Sequence, residues 1–111
     1  ALEQVRFTNS GTEANLYAVC AARAVTGRPA LLAFEGSYHG GVLSFGDYGA
    51  AMNAPFPAVL APYNDTARTL ELIEAHAGEL AAVLLEPMVG SGGCIRADDE
   101  FVRALREATA R

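Results

Sequence analysis

The period of apolar and polar positions changes several times along this chain, and each change marks a boundary between elements. Residues 4–8 (QVRFT) alternate weakly through Val5 and Phe7, which predicts a short strand. From Thr12 to about Thr26 the spacing turns helical, with Ala14, Tyr17, Ala18, Ala21 and Val25 as the expected inner face. Gly27 stands where a helix C-terminal glycine belongs, and Pro29 follows just past it. Residues 30–34 (ALLAF) form an unbroken apolar run, the mark of a strand covered on both faces. Residues 35–49 are glycine-rich and read as loop, and residues 58–61 predict a third, short strand. Asn64-Asp65-Thr66 then caps a helix to about His76 with Leu70, Ile73 and Ala77 on one face. A strand over residues 81–85 is stopped by Glu86-Pro87. In the last segment Asp98-Asp99-Glu100 sets three acids at the positive end of a final helix. Strand and helix alternating in this way predict an α/β fold, a mostly parallel sheet covered by helices.

Composition narrows the classes of function. At 111 residues and 51% hydrophobic, the chain is one domain's worth and no disordered tail. A formal net charge of −5 without a basic cluster argues against a nucleic-acid partner. No apolar run approaches the ~20 residues of a membrane helix, and no signal segment opens the chain. Cys20 and Cys94, together with His39 and His76, match no metal-ligand spacing, so no metal is expected. The two cysteines read as reduced thiols, in keeping with a cytoplasmic protein. All eight basic residues are arginines, so any chemistry needing an amine side chain cannot be completed within these residues. The chain does not start with methionine, Ala1-Leu2-Glu3 resembles the close of a helix, and the last segment stays helical to Arg111. The expectation is therefore that residues 1–111 form a partial domain, truncated at both ends, and poorly stable alone because its sheet edges lack partners.

The candidate chemistry begins at NSGTEAN, residues 9–15. Ser10 and Glu13 stand three apart, the spacing of a capping box. Gly11 at the first helical position is a poor helix former, but it would let a ligand approach the backbone N–H groups. Ser10 and Thr12 could add hydroxyl donors, so plain capping and an anion seat both remain open and are compatible. In an open α/β sheet, ligands gather at the carboxyl ends of strands. The loops at residues 9–12, 35–40 and 86–93 all follow expected strands, which would bring them to one edge. Tyr38 offers an aromatic plate and His39 a polar neighbour; the plain alternative is packing within their own loop. Glu86 ends an apolar strand, where it is either a partly desolvated carboxylate or a solvated strand end. Gly90-Ser91-Gly92-Gly93 is a ligand loop or merely a turn.

Taken in order, NSGTEAN, FEGSYHG and LLEPMVGSGGC resemble the fold-type I, class III aminotransferases that use pyridoxal 5′-phosphate. The resemblance extends from about Val5 to Arg106, nearest the branch that holds glutamate-1-semialdehyde aminomutases and β-amino-acid or D-phenylglycine-type aminotransferases, and AFEGSYHGG, YND and EPMVGSGGCI lean towards the amino-acid aminotransferases. It implies that the chain is part of the large cofactor-binding domain of such an enzyme. Ser10, Gly11 and Thr12 would hold the cofactor phosphate, and Tyr38 would stack on the pyridine ring with His39 supporting its loop. Glu86 would lie towards the ring-nitrogen side, and Ser91 would make a polar cofactor contact. The family's phosphate seat is often completed by a neighbouring subunit, which implies a homodimer. The reaction implied moves an amino group from an amino donor to a keto acceptor. The Schiff-base lysine and the aspartate that pairs with the ring nitrogen both lie outside this chain, so the chain alone is expected to be inactive. The competing expectations are an aminomutase fragment and, from another class, a non-catalytic module that binds a phosphorylated small molecule.

Overall fold

The structure is a computed structural model that describes residues 3–46 and 49–110. The helix close expected at Ala1-Leu2 and the last helical residue, Arg111, lie outside the described residues. The middle of the fold is β1 (Ala30–Phe34), whose five residues are all buried. β2 (Ala58–Ala61) and β3 (Leu80–Val83) flank it, both parallel, in the order β2-β1-β3. Leu31 faces Ala58 and Phe34 faces Ala61 on one side; on the other, Ala30 faces Leu80 and Leu31 faces Ala82 after a register shift. A strand with partners on both edges and helices on both faces has no polar face to offer, which is why its sequence is continuously apolar.

Alternation along β1 divides the interior in two. Ala30, Leu32 and Phe34 point to one side, where they pack with Ala61, Leu80, Ala97, Phe101 and Leu105. That side is covered by α2 (Thr66–Ala75) and α3 (Asp99–Thr109). Phe34, Tyr63 and Phe101 meet edge-on there, with centroids 5.4–5.8 Å apart. Leu31 points to the other side, against Val19 of α1 (Gly11–Thr26) and Leu43. The α/β class and parallel sheet follow the sequence expectation.

Two expectations need correction. Residues 4–8 form no strand; Val5 is 67% and Phe7 92% exposed, and alternation without a neighbouring ladder is not sufficient to make a strand. The inner face of α1 is also not the expected one. Ala14, Tyr17, Ala18, Ala21 and Val25 are all exposed, while Val19 is buried and Leu16 half-buried. Both faces of α1 are apolar, and the branched Leu16 and Val19 fill the space above Leu31 and Leu43 better than alanines would.

Smaller differences follow local chemistry. β3 begins one residue early, and although its ladder ends at Val83, the Leu84 N–H still reaches Leu32 O at 2.8 Å. α2 buries Thr69, with Leu72 and Ile73 against the core, and Ala77 falls beyond its end and is exposed. A hairpin of β4 (Met88–Val89) and β5 (Ile95–Arg96) was not expected, because two residues per strand carry no period. Cys20 and Cys94 are free and exposed. Among the described residues, no helix is long and apolar enough to cross a membrane.

Candidate functional site

The site grows from the start of α1. Ser10 is its N-cap, in extended conformation, and Ser10 Oγ accepts the Glu13 N–H at 3.2 Å. The Glu13 carboxylate does not return to the Ser10 amide as a standard box would. It reaches one residue further and accepts the Asn9 N–H at 2.9 Å and the Asn9 side-chain amide at 3.2 Å. Glu13 therefore turns back towards the preceding loop. The Ala14 N–H goes to Ser10 O at 3.0 Å. The N–H groups of Gly11 and Thr12 take no acceptor among the described residues, as expected for the first turn of a helix. A β-carbon placed on Gly11 would meet nothing within 4 Å, so the backbone there is open to close approach.

The loop after β1 folds over this helix end. Gly41 donates its N–H to Thr12 Oγ1 at 3.1 Å, and Asn15 Nδ2 donates to His39 O at 2.8 Å. Gly40 makes the approach possible: at φ 122° a β-carbon would sit 2.6 Å from Thr12 Cα. Between loop and helix lies a hollow of about 310 Å³, lined by Gly11, Thr12, Asn15, Tyr38, His39 and Gly40. Its volume suits a small molecule. Tyr38 is half exposed there. His39 is buried against Phe45, and its Nε2 has no hydrogen-bond partner among the described residues. Burial holds the His39 imidazole below its ordinary value of 6.5, while the Glu86 carboxylate pulls the other way with less effect.

The segment after β3 completes the arrangement. Glu86 Oε1 accepts the Tyr38 N–H at 2.7 Å, and Oε2 accepts the Gly90 N–H at 3.2 Å. Ser91 Oγ stands 3.4 Å from Gly36 O, a long bond. The structure thus brings Gly11, Thr12, Tyr38 and His39 onto one hollow, with Glu86 and Ser91 contacting the same loop from behind. Ser10 caps the helix beside it.

Three contributors were not singled out from sequence. Asn15 ties the Tyr38 loop to α1, and only its place in NSGTEAN hints at that. Tyr63 donates its hydroxyl to Glu86 O at 2.7 Å. Burial first, then the charges of Glu86 and Asp98, raise Tyr63 above its ordinary 10.0, so it stays a donor. Asn64, at φ 63°, donates to Arg96 O at 2.9 Å and accepts the Asp98 N–H at 3.0 Å, fastening the β2–α2 connection to the junction of β5 and α3.

A helix N-terminus thus lies beside the loops that leave the carboxyl ends of β1 and β3, the edge at which open α/β sheets gather ligands. The chain belongs to the class III aminotransferases: the family model described as "Aminotransferase class-III" matches residues 1–111. It is 49% identical over 110 residues to a beta-phenylalanine transaminase of Variovorax paradoxus, covering 99% of this chain and 25% of the relative. The crystal structure of a beta-phenylalanine aminotransferase from the same organism superposes with a TM-score of 0.92 at 50% identity, over 97% of this chain and 25% of that one. A transaminase structure with PLP bound superposes with a TM-score of 0.81 at 38% identity, over 97% of this chain and 28% of that one. A glutamate-1-semialdehyde 2,1-aminomutase of Methanothermobacter thermautotrophicus is 41% identical over 119 residues, covering 96% of this chain and 28% of the relative. The chain spans about a quarter of the length of the relatives it matches. The class is one of pyridoxal-phosphate enzymes. Family membership sets aside the non-catalytic module, and the aminomutase alternative is not favoured beside the higher identity to the transaminase.

Proposed function

We propose that this chain supplies the phosphate-binding and ring-stacking part of a pyridoxal-phosphate aminotransferase acting between an amino acid, of the β class, and a keto acid. The observation that carries this reading is the hollow at the start of α1, where two unpartnered amides meet an aromatic side chain. A phosphate ester needs several donors and no competing anion. Gly11 and Thr12 offer their N–H groups at the positive helix end. Ser10 Oγ and Thr12 Oγ1 each accept a bond from the protein, so each keeps its own proton to donate. Glu13, the one acid in that first turn, is turned back onto Asn9. Tyr38 then stacks on the flat ring, and His39, kept neutral by burial, supports the loop without adding charge. Ser91 closes the loop from the far side through Gly36.

When bound, pyridoxal phosphate supplies an electron sink for the carbon that exchanges its amino group. The residues of this chain bind, orient and shield; the amine and the acid under the ring nitrogen come from elsewhere in the parent, whose phosphate seat a second subunit completes. The parent acts in the cytoplasm as a homodimer, and the 111-residue chain alone has no transaminase activity. The test is a titration of the full-length parent, freed of its cofactor, with pyridoxamine 5′-phosphate, pyridoxamine and inorganic phosphate, followed by calorimetry and by ¹⁵N NMR of its amides. Saturable binding that needs the phosphate, with amide shifts at Gly11 and Thr12, supports the reading. Equal binding of pyridoxamine without phosphate overturns it.

A further inference from the structure

Glu86 is the one acidic side chain among the described residues that accepts backbone amides from two separate loops. Its partners are Tyr38, 48 residues away, through Oε1 and Gly90 through Oε2. Both oxygens are thus engaged within this chain. The Tyr38 loop is also fastened by Thr12 and Asn15. Glu86 is itself held from behind, since its carbonyl takes the Tyr63 hydroxyl and Tyr63 packs edge-on against Phe34 and Phe101. A continuous set of contacts therefore runs from the buried aromatic cluster through Tyr63 and Glu86 to the backbone of Tyr38, whose ring stands half exposed at the hollow.

We infer that Glu86 is a positioning residue that sets the stance of Tyr38 and so tunes the affinity of the hollow for a planar ring carrying a phosphate. This rests on the cofactor-seat reading given above. A carboxylate suits the task because both of its oxygens accept, whereas an amide offers one acceptor and turns an NH₂ group against the second backbone N–H. Glu86→Gln therefore releases one of the two loops, and Glu86→Leu releases both. The Tyr38 ring then loses its fixed distance from the ligand plane, while the α1 end keeps its donors.

The test uses the full-length parent, freed of its cofactor, with two probes, inorganic phosphate and pyridoxamine 5′-phosphate, and the variants Glu86→Gln, Glu86→Leu, Tyr38→Ala and Glu86→Leu/Tyr38→Ala. Expected is a loss of about fivefold to tenfold in pyridoxamine 5′-phosphate affinity for Glu86→Leu, the range of one aromatic stacking contact. Glu86→Gln falls between that variant and the wild type, and inorganic phosphate binding stays unchanged in every variant. Glu86→Leu adds nothing once Tyr38 is alanine, because the carboxylate acts through that ring. Should Glu86→Leu fail to fold, the Glu86→Gln affinity and the ¹⁵N shifts of Tyr38 and Gly90 decide the question. Undiminished affinity in Glu86→Gln and Glu86→Leu overturns the inference while leaving the cofactor seat standing. A loss that persists in the Tyr38→Ala background, or that extends equally to inorganic phosphate, overturns it as well. A wild-type parent that binds neither probe overturns the seat and the inference together.

Discussion

The N-termini of α1 and α2 are built to the same plan and end with opposite electrostatics. Each has a side chain capping the amide three residues on: Ser10 takes Glu13 N at 3.2 Å, and Asp65 takes Arg68 N at 3.0 Å. In α2 the capping group is itself an anion, so the positive helix end is satisfied by the chain. In α1 the cap is a neutral hydroxyl, and the nearby carboxylate of Glu13 faces away towards Asn9. α1 is moreover roofed by a loop that leaves a hollow of about 310 Å³. On the proposed reading of α1, a capping motif does not by itself decide whether a helix end binds an anion. The charge of the cap and the space above it decide.

The largest expected effect comes from removing that space. Gly40→Ala would set a β-carbon 2.6 Å from Thr12 Cα at a φ of 122°, and should cost about 3 kcal/mol from strain and overpacking together; the urea midpoint measures it. Exchanging the caps isolates charge from capping. Ser10→Asp should keep stability within about 0.5 kcal/mol, since Ser and Asp cap equally well, yet weaken phosphate-ester binding about tenfold or more. Asp65→Ser should create no binding at α2; calorimetric titration of both variants compares them. Asp65→Ala should lose about 1 kcal/mol of stability and leave phosphate binding as it was.

The smallest effect is a pH dependence. Because burial lowers the His39 value in the fold, the unfolded chain binds the proton more readily than the folded one between that lowered value and 6.5. Stability from the neutral imidazole is full above about pH 6.5 and is lost as pH falls through that window. Thermal melts of the wild type should drop on acidification there, and His39→Gln should flatten the slope.

Much of this molecule is legible in its sequence because the informative features are local. ALLAF announces a doubly covered strand, Ser10 and Asp65 announce helix starts, and Gly27 at φ 69° closes α1. The misread face of α1 shows the limit: with apolar residues on both sides, only the shapes of Leu31 and Leu43 beneath it choose Leu16 and Val19. The strand expected at residues 4–8 fails for the same reason, since pairing depends on a neighbour that alternation cannot reveal. In the site, the convergence of the 35–40 and 86–93 loops could be anticipated from strand ends. The dual grip of Glu86 could not, because its partners are backbone amides that any residue would supply.

The central place of β1 also has a consequence for how the chain comes into being. Ala30 has Leu80 as its ladder partner on one side, and Leu31 has Ala58 on the other. Synthesis at ~5–20 residues per second leaves β1 waiting several seconds for both neighbours. During that interval the five buried residues of β1 emerge ahead of both of these ladder partners, with α1 already made. The ribosome thus delivers the keystone before the walls, and whatever shelters residues 30–34 in those seconds governs how much of the nascent protein reaches its fold.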